Sequence, residues 1–212
     1  MHRPPIEKPP LATSARGWLT RRLAADAAVF CLLVAIGVVG RWGQPMWAFT
    51  PLAAIGVFAG AYFRHAGAAV FVPLLAMLIS DAGLQSYDHA GVLLTVYGAL
   101  AFPVLLGRWF RAGGPAGSDR AGWVATIGKL AASAIAPAVC FFLLTNFAVW
   151  LLRSDYPATL AGLGECYANA LPFFRQRLAG DLLYVPLLVL PLLCGQAGST
   201  ARTKPAVAHA GR

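Results

Sequence analysis

Hydrogen-bonding side chains are scarce in the apolar stretches of this chain, and those that occur gather between Phe141 and Tyr184. Asn146 places an amide inside one apolar run, and Trp150 sets an indole one turn further along. Asp181 opens the next apolar run and Tyr184 follows it on the same face of a helix. Such groups are costly in hydrocarbon and by default mark a functional site. An amide, an indole N–H, a carboxylate and a phenol together suit hydrogen-bonded capture of a small polar solute. Each also has a structural use. Asn146 can hold its helix to a neighbour, Trp150 can anchor at the interface, and Asp181 can answer the positive dipole of a helix start. Glu165, Tyr167 and Asn169 lie in the polar connection between the two runs, and Asp81 ends an earlier one. They complete the candidate solute-contacting set.

The elements that position these groups follow from composition. The 212 residues are 58% hydrophobic and only 12% charged, where a soluble domain carries about 25% charged residues. The mean hydropathy is +0.66. Water is therefore not the main solvent, and the length suits several spans of roughly 20 residues each. An all-α, polytopic membrane domain of about six helices is expected over residues 23–195. Disordered basic tails are expected at 1–22 and 196–212.

Six apolar segments supply the spans: about 23–40, 51–63, 66–80, 90–107, 123–152 and 178–193. The fourth should bend at Pro103, since proline removes a backbone donor and crowds the preceding turn. Between the fifth and sixth, Leu160, Leu163, Tyr167, Leu171 and Phe174 recur at three- and four-residue steps, which predicts a helix lying on the membrane surface. Ala24 and Ala28, and Gly56 and Gly60, form small-xxx-small pairs that let another helix approach closely and are the candidate docking faces.

The net charge of +9 does not point to nucleic acid, because the basic residues lie in tails and short loops without an aromatic-basic patch. They point to orientation instead. Both tails, the Arg64–His65 turn and the 108–122 loop hold twelve of them, and the opposite loops hold Arg41, Arg153, Arg175 and Arg177. That bias puts both termini in the cytoplasm and the Phe141–Tyr184 chemistry on the outer face of the cell (inner) membrane. The four cysteines lack zinc-ligand or disulfide-framework spacing, and the four histidines divide between opposite faces, so neither a metal nor a cofactor is expected. Phosphate-loop, HExxH and GxSxG motifs are absent.

The runs TPLAAIGVFAGAYF, PLLAMLISDAGL, LLTNFAVWLL and YPATLAGLGECYANALPFFRQRLAGDLLY resemble a family of small bacterial membrane proteins of unknown function, described as transport proteins. Those proteins are in turn similar to the substrate-binding S components of energy-coupling factor transporters. The resemblance covers about residues 45–190. It implies a six-helix subunit that captures a scarce micronutrient and docks on a transmembrane coupling protein driven by separate ATPase subunits. It also implies docking through the Ala24/Ala28 face, and ligand contacts from Asn146, Trp150, Asp181 and Tyr184. The family usually carries asparagine before the Phe-Thr-Pro of the first outer loop, where this chain has Ala48.

Three functions compete. A solute-binding subunit predicts tight capture and no catalysis. An assembly subunit needs only the small-residue stripes. An intramembrane lipid enzyme needs Asp181 and Glu165 to converge.

Overall fold

The computed structural model describes residues 11–84, 88–112 and 120–203. Among them seven helices follow in order: α1 (Leu11–Trp42), α2 (Leu52–Tyr62), α3 (Ala66–Leu84), α4 (Ala90–Ala99), α5 (Phe102–Ala112), α6 (Arg120–Leu152) and α7 (Leu160–Thr203). No strand occurs among the described residues. Five segments among the described residues are long and apolar enough to cross a membrane: Gly17–Trp42, Ala66–Leu84, Ala90–Ala112, Ala121–Leu152 and Leu160–Gly195. The chain is thus an all-helical protein of membrane-embedded type.

The short α2 is the axis of the bundle and touches α1, α3, α5, α6 and α7. Nine of its eleven residues are buried, and six of those are alanine or glycine, which is what lets so many helices reach it. The closest approach is to α5. A Cβ on Gly60 would strike the Val104 carbonyl, and one on Gly107 would strike the Val57 carbonyl, so the two backbones lie against each other. Gly56 faces Pro103 across the same seam. The second small-xxx-small pair is therefore occupied by a helix of its own chain.

Pro103 does more than bend a helix. The Leu100 and Ala101 N–H groups fall back on the Tyr97 and Gly98 carbonyls, and the helix breaks into α4 and α5. At its other end, α4 is capped by His89, whose Nδ1 accepts the Gly91 N–H at 3.1 Å.

Two boundaries differ from expectation. α1 begins at Leu11, where the chain leaves Pro9-Pro10 and enters alanine- and leucine-bearing sequence, so part of the expected tail is helical. Residues 1–10 and 204–212 lie outside the described residues. The larger difference is that the stretch expected to lie flat on the membrane is continuous with the last span. α7 runs unbroken from Leu160, and its first half packs antiparallel on α6. Thr159 starts it, its hydroxyl accepting the Gly162 N–H at 3.1 Å. Glu165, Asn169 and Arg175 interrupt the hydropathy because they lie on the outward face of this hairpin, where they are exposed.

Candidate functional site

Residues 43–51 connect α1 to α2 and fold inward against α7. Gly180 carries no side chain where the Phe49 and Thr50 backbones pass, at about 3.3–3.5 Å from where its Cβ would be. Phe49 then meets Tyr184 edge to face at 5.4 Å between ring centroids. Within this connection Ala48 adopts φ 67°, a left-handed conformation rare for a residue with a side chain, and its N–H is held by the Gln44 side-chain carbonyl at 3.1 Å. The turn brings Ala48 to the wall of a cavity of about 190 Å³.

Three elements build that cavity. α6 contributes Phe141, Phe142, Thr145 and Asn146, and α7 contributes Ala170, Phe173, Phe174 and Arg177. Four phenyl rings make its body apolar, and Phe142 and Phe174 also brace each other at 4.8 Å. The Arg177 guanidinium sits over the Phe141 ring, its Cζ 3.7 Å from the ring centroid, a cation–π contact.

Arg177 is 8% exposed and Asp181, one turn along α7, is 1% exposed. Their nearest approach is 4.0 Å, between Nε and Oδ2, too long for a hydrogen bond. Both of those atoms are buried without a hydrogen-bond partner. Asp181 answers the charge of Arg177, and of the two only Arg177 lines the cavity. The expected role of Asp181 as a helix-start charge does not survive, because α7 begins twenty-one residues earlier.

The other expected contact residues divide. Asn146 is on the cavity wall, its amide nitrogen donating to the Phe142 carbonyl of its own helix at 2.8 Å. Tyr184 supports the 43–51 connection through Phe49. Trp150 lies beyond the cavity and ties α6 to the next loop, its indole N–H donating to the Pro157 carbonyl at 3.0 Å. Tyr167 donates to the Leu143 carbonyl at 2.8 Å, and its ring packs on Phe142. It closes the hairpin rather than the cavity. Asn169 reaches the Tyr156 hydroxyl at 3.4 Å, and Glu165 is exposed. Glu165 and Asp181 are sixteen residues apart on one helix, about 24 Å at 1.5 Å per residue, so they do not form an acid–base pair.

Asp81 belongs to a second polar cluster. One of its oxygens takes the Arg41 guanidinium at 2.5 Å and the other takes the Tyr97 hydroxyl at 2.9 Å. Arg41 also donates to the Ser80 hydroxyl at 2.7 Å, so the cluster ties α1, α3 and α4 together. Its acceptors are spent on the protein. Among the described residues no group of three metal-ligating side chains occurs.

The sequence had signalled Asn146 by its polarity, but Arg177 was counted only as an outer-loop charge. The available signal was its spacing: Arg177 and Asp181 are four residues apart, which on one helix is a neighbouring pair. A family described as "Family of unknown function (DUF6580)" matches residues 21–197. No curated protein and no solved structure matches the chain.

Proposed function

We propose that this chain, which belongs to that family of unknown function, is a solute-binding membrane subunit that captures a small molecule in the cavity between α6, α7 and the 43–51 connection. The observation that carries this reading is Arg177: a buried guanidinium over the Phe141 ring, with its Nε donor unsatisfied, on the wall of a cavity that four phenyl rings make largely apolar. A buried donor without a partner is unfavourable unless something supplies the acceptor. The fitting solute has a compact apolar or aromatic body and an acceptor-bearing polar edge. A cavity of about 190 Å³ is below the roughly 300 Å³ at which pockets for drug-sized ligands begin, which favours a small one.

In this reading the chain crosses the inner membrane six times, with α2 as one short traverse and α4–α5 together as another. Both termini are cytoplasmic, following the basic residues. The cavity then faces outward. Energy for uptake comes from a transmembrane coupling protein and ATPase subunits, as the resemblance to S components implies, docking on the exposed Ala24/Ala28 face of α1.

The test is thermal stabilisation of the purified protein across a panel of vitamin-sized solutes, aromatic acids and amides included. At least one should raise the unfolding temperature, and Arg177→Gln and Asn146→Leu should each abolish the rise. A panel without any stabilising solute counts against the reading, as does a solute whose effect survives both substitutions.

A further inference from the structure

The end of the bundle opposite the cavity carries a different kind of site. There α1 stands away from the α2–α3 turn, leaving a groove of about 780 Å³. Its walls are apolar, with Leu23, Phe30 and Leu192 among them, and its rim carries Arg22, Arg64 and His65. Two further guanidinium groups stand behind the rim. Arg111 donates to the Phe63 carbonyl, and Arg108 to the Arg64 carbonyl at 3.5 Å.

Among the described residues, one carboxylate lines the groove. Asp26 accepts a hydrogen bond from the Tyr62 hydroxyl at 3.1 Å. None of the ion pairs among the described residues involves Arg22, Arg64 or His65. The groove therefore pairs a long apolar floor with an unbalanced positive rim. Arg22 itself sits over the Trp18 ring at 5.5 Å, and a tryptophan so exposed belongs at the level of lipid headgroups.

We propose that this groove binds an anionic phospholipid, with an acyl chain along Leu23, Phe30 and Leu192 and the phosphate between Arg22, Arg64 and His65. A free phosphate would leave the apolar floor unused. A zwitterionic lipid would bring its own cation into a cluster of guanidinium groups. An anionic lipid satisfies both halves, and basic pockets between membrane helices suit such headgroups. The site uses no residue of the solute cavity and does not depend on solute capture.

The experiment uses the full chain in phosphatidylcholine nanodiscs. Phosphatidylglycerol, phosphatidylethanolamine with the same acyl chains, or inorganic phosphate is added, and unfolding temperature and lipid retained in native mass spectrometry are read. Phosphatidylglycerol should stabilise the protein and be retained, and the other two should do neither. The double variant Arg22→Gln/Arg64→Gln should weaken retention at least tenfold. Leu23→Trp, which keeps every charge but fills the floor, should do the same. Equal effects of phosphatidylglycerol and phosphatidylethanolamine overturn the proposal, as does unchanged retention in both variants. Stabilisation by inorganic phosphate alone, or a second copy of the chain in place of the lipid, also overturns it.

Discussion

Arg177 leaves water for a place where its charge is met by one carboxylate at 4.0 Å and one phenyl face at 3.7 Å. Desolvating such a pair is costly, and a separation too long for hydrogen bonding returns little of that cost. Removing one partner strands the other charge. Arg177→Met should therefore destabilise the protein by about 3–5 kcal/mol, while the double change Arg177→Met/Asp181→Leu should recover most of that loss. Reversible unfolding in detergent of the two single variants and the double one measures this directly. Equal destabilisation by all three would mean that the pair does not act as a unit. At this scale the sequence was half legible. An amide in an apolar run stands out, so Asn146 could be nominated. Phenylalanine in a membrane helix reads as lipid-facing, so nothing distinguished Phe141, Phe142, Phe173 and Phe174 as the walls of a cavity.

Among the elements, the contact of α2 with α5 sets the tightest requirement. The two backbones touch where Gly60 and Gly107 lie, and a methyl group on either would press on a carbonyl that cannot swing aside. Gly107→Ala should cost about 1–3 kcal/mol through overpacking, read as a lower unfolding temperature with the helical content of the folded state unchanged. An unchanged unfolding temperature would show that the seam can open. Gly60 was visible beforehand as permission for close approach, but Gly107 was not singled out, and spacing alone does not say which helix approaches. The first half of α7 was misread for a related reason. Apolar residues at three- and four-residue steps describe any helix with one covered face, whether lipid or a partner helix covers it. Here α6 is the cover, with Tyr167 and Phe174 turned toward Phe142.

The whole molecule is polarised. One end gathers Arg64, Arg108 and Arg111 around the α2–α3 turn, and the other carries the Arg41–Asp81 cluster, the cavity and the α6–α7 hairpin. At 1.5 Å per residue α6 is about 50 Å long, against a hydrocarbon layer of about 30 Å, so it must tilt strongly or project beyond the layer. Projection outward is the expected arrangement. Alkaline phosphatase joined after Asp155 should be active, because that enzyme matures only outside the cytoplasm, while the same reporter joined after Thr203 should be inactive. The reverse pattern would turn the molecule over and place the cavity on the cytoplasmic side. Composition and the long apolar runs made the helical, membrane-embedded class legible. Depth was not, since nothing in residues 43–51 announces that the connection folds inward as far as Gly180.

The brevity of α2 also bears on how the protein is made. Eleven residues span about 16 Å, roughly half the hydrocarbon thickness, and present mostly alanine, glycine and valine. A segment so short is weakly held by lipid on its own and has no face that lipid must cover. During synthesis it therefore has to wait for its neighbours: α1 first, then α3, then α5, whose glycine completes the seam, with α6 and α7 closing on it afterwards. Chains halted between α2 and α5 should accordingly be the ones that quality-control proteases remove.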